Sequence, residues 1–257
     1  MDYIKEGDNV IAFMSIPSSG FKSVVDPYLN VLQYINPTYV LEKPYGTNKT
    51  EFESLMNYME SKNMNVIFND HYIGKSAIVD LPTMNLPRYE DIYSMRLILH
   101  EEDGVDDRMG YFDKVGIIND MYQSHVLLLY SMVIAQIKSE QRESILKIMI
   151  NMQIKCKTLD VYDGYNGIMP TECTVDCMYE HIKIYTSIGK KKPNQKEMII
   201  YHKDGEMKLD LSNTRIEPYD HIFKQILENK TENFLNTTEI RYMWEHVESL
   251  QDSILYL

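Results

Sequence analysis

Three β-rich runs, Val10-Ile11-Ala12-Phe13-Met14, Thr38-Tyr39-Val40-Leu41 and Asn65-Val66-Ile67-Phe68, are separated by two stretches of helical spacing. This alternation restricts the fold more than any other feature of the chain. The first run is continuously apolar, as in a strand buried on both faces. Between the runs, residues 21–34 have helical spacing with Pro27 as an interruption, and residues 50–59 put Phe52, Leu55, Met56 and Met59 on one face. Strand–helix–strand connections are right-handed and give parallel neighbours, so residues 10–69 are expected to form a βαβαβ unit. Open sheets of this kind bind ligands at the carboxyl ends of their strands. Lys43-Pro44 and Asp70-His71-Tyr72 fall there.

After residue 80 the pattern changes. Leu81 to Pro87 punctuates the chain, residues 93–100 read as a strand, and residues 117–138 and 140–152 read as helices. Ile182 to Thr186 alternates with period two, as a half-exposed strand does. Residues 198–202 and 206–211 flank Lys203-Asp204-Gly205, a tight-hairpin signal. Pro218 suits a helix's first turn, and Asn236 with Glu239 forms a capping-box pattern for the last helix. The expected fold is a partial, half Rossmann-like parallel sheet over residues 1–80, followed by an α+β domain with an antiparallel sheet over residues 81–257.

With 257 residues and 44% hydrophobic content the chain can bury a substantial core. Its formal net charge of −12 opposes nucleic acid and anionic membranes. The same field repels a phosphorylated metabolite, whose phosphate carries about −1.5 to −2 charges. Such a ligand needs a local basic pocket. The acidic start, Met1 to Asp8, has no apolar core of a secretory signal, and no apolar run approaches the ~20 residues of a membrane span. Cys156, Cys173 and Cys177 are odd in number and lack Cys-x-x-Cys spacing, so they read as reduced thiols in a cytoplasmic protein.

His71, Tyr72 and Lys75 follow the third expected strand, where a cation, an imidazole and a phenol can surround a phosphate. Lys43 follows the second strand at the same edge, and this convergence is hard to explain as surface decoration in an acidic chain. His125 suits a general base, and a nearby carboxylate such as Asp120 would fix its tautomer. On a straight α-helix a spacing of five separates the two by about 140°. They share a face only if the helix is distorted; otherwise they are a capping Asp and a core His. Gly189-Lys190-Lys191-Lys192-Pro193 reads as a basic turn whose commoner fate is a solvated loop. Glu101, Glu102, Asp103, Asp106 and Asp107 raise a divalent cation, but their spacing matches no calcium loop, and no metal site is expected. The Met and Tyr abundance is core filling.

At these residues the chain resembles the glucose-6-phosphate dehydrogenase family. The family carries Glu-Lys-Pro-Phe-Gly, here Glu42 to Gly46 with Tyr45 for Phe, and Asp-His-Tyr-Leu-Gly-Lys, here Asp70 to Lys75 with Ile73 for Leu. Its later Arg-Gly-Gly-Tyr-Phe-Asp motif, with Arg-Asp and a histidine beyond, matches Arg108 to Asp113, Asn119-Asp120 and His125. Ser15-Ile16-Pro17, Gly189-Lys190, Glu239-Ile240-Arg241 and Trp244 extend the likeness over nearly the whole chain. The resemblance implies that His125 takes the proton from the sugar C1 hydroxyl with Asp120 orienting it. It implies that His71, Tyr72 and Lys75 hold the phosphate, and that Lys43, Glu101 and Lys190 contact the sugar. Pro17 and Lys43 would lie beside the nicotinamide of NADP.

There are departures. The family opens with a Gly-rich turn that cradles the coenzyme pyrophosphate at a helix amino terminus, and no such turn follows a first strand here. Phe68 and Asn119 stand where the family has arginines, and Met109 where it has glycine. The expectation is a family homologue without the N-terminal coenzyme-binding half, binding glucose 6-phosphate and no cofactor as an isolated chain. The alternatives are an interaction or regulatory pseudoenzyme pairing through its sheet with itself or with a full-length dehydrogenase, and residual NADP-dependent oxidation of the sugar phosphate.

Overall fold

The computed structural model describes residues 8–213, 215 and 217–252, so nearly all of the stretch read for a secretory signal lies outside it. The expected parallel unit is present. Strands β1 (Ile11–Met14), β2 (Thr38–Glu42) and β3 (Asn65–Asn69) run parallel in the order β1-β2-β3. Pro27 splits the first connection into α1 (Phe21–Val25), a 3-10 turn over Asp26–Tyr28 and α2 (Leu29–Ile35), because proline cannot donate the hydrogen bond that would continue a helix. Helix α3 (Lys49–Ser61) starts where the Asn48 side chain accepts from the Glu51 N–H at 2.9 Å, and it buries the four apolar residues expected on its inner face.

A short helix α4 (Ser76–Asp80) leads to β4 (Ile92–His100), then α5 (Met109–Ile117), α6 (Leu127–Lys138) and α7 (Arg142–Met149). Strands β5 (Gln153–Asp160), β6 (Glu172–Tyr179), β7 (Ile182–Gly189), β8 (Gln195–His202) and β9 (Gly205–Asp210) complete a six-stranded sheet ordered β5-β6-β7-β4-β8-β9. Its contacts are antiparallel except for the central pair, β4 and β7, which run parallel. The sheet is therefore mixed rather than purely antiparallel. Gly205, with φ 137°, makes the expected hairpin turn.

The long helix expected over residues 117–138 is present, but its first half is not α-helical, and a kink lies just before it. Gly116 takes φ 67° and ψ 170°, and a Cβ there would stand 2.6 Å from the Met169 methyl carbon. A π-helical stretch, Ile118–Val126, then precedes α6. Helices α8 (Pro218–Leu227) and α9 (Thr237–Asp252) return to the parallel sheet. Phe68 and Leu235 exchange backbone hydrogen bonds at 3.2 and 3.1 Å. The capping box is reciprocal: the Glu239 N–H donates to Asn236 Oδ1 and the Asn236 N–H to Glu239 Oε2, both at 2.9 Å.

One buried cluster links both sheets and includes Met56, Met59, Met95, Tyr45 and Tyr122. Burial pushes the thiols of Cys173 and Cys177 up to about 12, which leaves them inert. The Cys156 side chain is outside the description. Among the described residues no helix is long and apolar enough to cross a membrane.

Candidate functional site

Carboxyl ends of strands from both sheets converge on the π-helical stretch. Lys43 extends from β2 and the Asp70–Lys75 segment from β3. Glu101 and Lys190 follow β4 and β7, whose parallel register pairs His100 with Gly189 and so sets the next residues side by side. The Lys190 ammonium donates to Glu101 Oε2 at 2.6 Å and lies 3.1 Å from Asp120 Oδ2. Lys43 donates to the other Asp120 oxygen at 3.1 Å and to the Asp120 carbonyl at 2.8 Å.

The π-helix decides the geometry. Its i→i+5 repeat places residues five apart one above the other, so Asp120 and His125 do reach the same side of the segment. Asp120 is nevertheless not the orienting partner of His125. The His125 Nδ1 atom lies 2.7 Å from Asp70 Oδ2, and both side chains are buried. The expectation for Asp120 is corrected because its carboxylate is already spanned by Lys43 and Lys190, whereas Asp70 opens the turn packed on the imidazole. Asp70 Oδ1 also accepts from the Tyr72 N–H at 3.0 Å, which fixes the carboxylate and caps the 3-10 turn His71–Gly74.

Charge states follow from these contacts. Burial alone would raise the Asp70 carboxyl, but His125, by charge and by hydrogen bond, holds it well below the usual range. Burial lowers the His125 imidazole more than Asp70 raises it. The pair is therefore a carboxylate and a neutral imidazole whose Nδ1–H points at Asp70, leaving the Nε2 lone pair free to take a proton. Burial would raise Asp120 too, yet Lys43 and Lys190 keep it ionised; burial would lower Lys190, yet Asp120 and Glu101 raise it. This part of the site is a closed alternation of charges, with Lys190 buried rather than in the solvated loop that its sequence suggests.

His71 and Tyr72 pack their rings on His125 at centroid distances of 5.0 and 4.6 Å, and the Lys75 ammonium stands 5.9 Å from the Tyr72 ring. Burial, then the adjacent His125, push His71 down to about 3, so it is a neutral donor or acceptor near pH 7. Lys75 is lowered by burial and then by Lys196 on β8, which also acts on Glu101. Lys196 thus joins the cationic end of the site. The sequence offered only its place three residues beyond the basic turn, at the edge of a strand, as a signal. Pro17 stands past the end of β1, next in sheet order to β2 and Lys43. Asp70, His71 and His125 bring ligand atoms within 4.8 Å of one another, a set able to hold a transition metal, but Lys43 and Lys75 act on the same imidazole of His71 and oppose a cation there. A groove of about 1040 Å³ beside Arg142 and Glu239 contains none of these groups.

Known proteins resemble this chain along most of its length. Residues 85–150 match the family model for the glucose-6-phosphate dehydrogenase C-terminal domain. The glucose-6-phosphate 1-dehydrogenase of Helicobacter pylori (strain ATCC 700392 / 26695) is 21% identical over a 303-residue alignment covering 96% of this chain and 71% of that protein. That of Borreliella burgdorferi is 34% identical over 104 residues, covering 37% of this chain and 22% of that protein. The crystal structure of glucose-6-phosphate 1-dehydrogenase from Mycobacterium avium superposes with a TM-score of 0.73 at 14% identity, covering 98% of this chain and 72% of that one. A glucose-6-phosphate dehydrogenase in complex with its substrate glucose-6-phosphate gives 0.70 at 18% identity, covering 95% and 69%. At these identities the two structures speak for the fold.

Proposed function

We propose that this chain, which belongs to the glucose-6-phosphate dehydrogenase family, binds glucose 6-phosphate and presents its C1 hydroxyl to His125. The phosphate lies among His71, Tyr72, Lys75 and Lys196, and the ring against Lys43, Glu101, Asp120 and Lys190. The observation that carries the proposal is the Asp70–His125 pair, with an Nε2 lone pair beside a cationic end fit for a phosphate. Proton transfer from the C1 hydroxyl to Nε2 makes an imidazolium that the Asp70 carboxylate stabilises.

NADP, the coenzyme of the family, meets only part of a site here. β1 is followed by Ser15-Ile16-Pro17-Ser18-Ser19-Gly20 and by a helix of only five residues. Pro17 offers no N–H, and these residues do not fit a pyrophosphate cradle. Pro17 and Lys43 suit the nicotinamide end alone. The chain is a sugar-phosphate-binding protein rather than an autonomous dehydrogenase. The parallel unit of residues 1–80 supplies Lys43 and the phosphate turn, and residues 81–257 supply the base and the sugar contacts. A cytoplasmic setting suits its reduced thiols.

A second role, pairing with another copy or with a full-length dehydrogenase, draws on the outward face of the six-stranded sheet. There Tyr93 is 57% exposed beside Tyr201, and Arg96 stacks on Tyr185. Isothermal titration tests the main proposal: glucose 6-phosphate is expected to bind with micromolar to millimolar affinity and Lys75→Ala to weaken it at least about tenfold. Tight NADP binding by the chain, or no response to the sugar phosphate, would contradict it.

A further inference from the structure

Tyr111, on the first turn of α5, has no role in the site as described, yet its phenol oxygen is sealed from solvent without a hydrogen-bond partner among the described residues. Burial, followed by the Asp120 carboxylate, raises its pKa, which places the hydroxyl within the field of that carboxylate. Tyr111, Asp120, Lys190 and Arg108 line a cavity of about 10 Å³. That is the space one water needs, and a buried water needs two to four polar partners.

The walls supply them. Of the three N–H groups of Lys190, two go to Glu101 and Asp120, and one remains. Each Asp120 oxygen meets one lysine and keeps a further lone pair. Tyr111 adds an O–H donor.

We propose that Tyr111 holds one buried water against Asp120 and Lys190, and so fixes the Asp120 carboxylate with its remaining lone pair toward the sugar hydroxyls. Tyr111 is then a positioning residue for hexose recognition, an inference that rests on the sugar-phosphate function proposed above. Carboxylate torsions are broad and roughly two-fold, so a carboxylate held only by two lysines can swivel. Loss of the tyrosine leg therefore affects ring recognition and leaves the phosphate end, whose residues do not line this cavity, unchanged.

The test is Tyr111→Phe, titrated with glucose 6-phosphate and, separately, with inorganic phosphate, together with a high-resolution crystal structure of the wild-type chain. Expected are an about tenfold loss of glucose 6-phosphate affinity, unchanged phosphate affinity, and density for a water between Tyr111, Asp120 and Lys190. Unchanged affinity for both ligands, equal losses for both, or a cavity without density would overturn the proposal. The wild-type density decides the water even where the variant fails to fold. A wild-type chain that holds glucose 6-phosphate no better than phosphate would instead overturn the functional proposal, and the hexose role of Tyr111 with it.

Discussion

Replacing Asp70 by Asn separates the part played by Asp70 from that of Asp120. In the wild type one Asp70 oxygen accepts from the Tyr72 N–H at 3.0 Å and the other from His125 Nδ1–H at 2.7 Å. An amide has one oxygen for these two donors. If it keeps the bond to Tyr72, its NH₂ faces Nδ1, and the imidazole must move its proton to Nε2 to accept there. If it flips, the Tyr72 N–H faces a donor inside the core, at a cost of about 1–3 kcal/mol. The first state is cheaper, so Asp70→Asn is expected to switch His125 to the Nε2–H tautomer and remove the free lone pair. The lost charge-assisted bond costs about 1–3 kcal/mol, and each kcal/mol lowers the Tm of a chain of this size by about 2–4 °C. ¹⁵N chemical shifts of His125 read the tautomer directly. An unchanged tautomer in Asp70→Asn, or a switch produced by Asp120→Asn instead, would refute the assignment.

Three further outcomes are expected. Burial pushes His246, stacked on Tyr122, down from 6.5 to about 4; the unfolded chain therefore takes the proton first, and its stabilisation is full above pH 6.5 and lost as pH falls toward 4. The loss amounts to about 3 kcal/mol by denaturant titration, and His246→Gln should flatten that slope; an unchanged slope contradicts it. Gly74→Ala would put a Cβ 2.3 Å from the Pro218 carbonyl oxygen, pushing α8 off the phosphate turn, destabilising by about 1–3 kcal/mol and weakening phosphate binding; full affinity would show that α8 does not support the turn. Asn236→Ala removes the cap of α9 and should cost about 1 kcal/mol in thermal unfolding, whereas no loss would mean that the box adds nothing.

The parallel unit was legible because its strands and helices differ in period, and the gathering of basic groups at one sheet edge was legible because lysines collect there against a net negative charge. The dyad was only half legible. Helical periodicity assumes 3.6 residues per turn, and Gly116 and the π stretch carry no sequence mark that overrides it, so spacing alone could not bring Asp120 and His125 to one side. Asp70 was in view as the start of a motif, but its partner lies 55 residues away and is chosen by packing. Strands β5 and β6 were missed although Cys173, Val175, Cys177 and Tyr179 alternate inward with period two; cysteine was weighed for its redox chemistry and not as a small apolar residue. Lys196 lay beyond reach because the parallel β4–β7 pairing that organises its end of the sheet is a long-range event.

The most direct measurement of the central claim is a crystal structure of this chain with glucose 6-phosphate. The phosphate should contact His71, Lys75 and Lys196, with the C1 hydroxyl within about 3 Å of His125 Nε2. A phosphate bound elsewhere, or a sugar whose C1 faces away from His125, would contradict it.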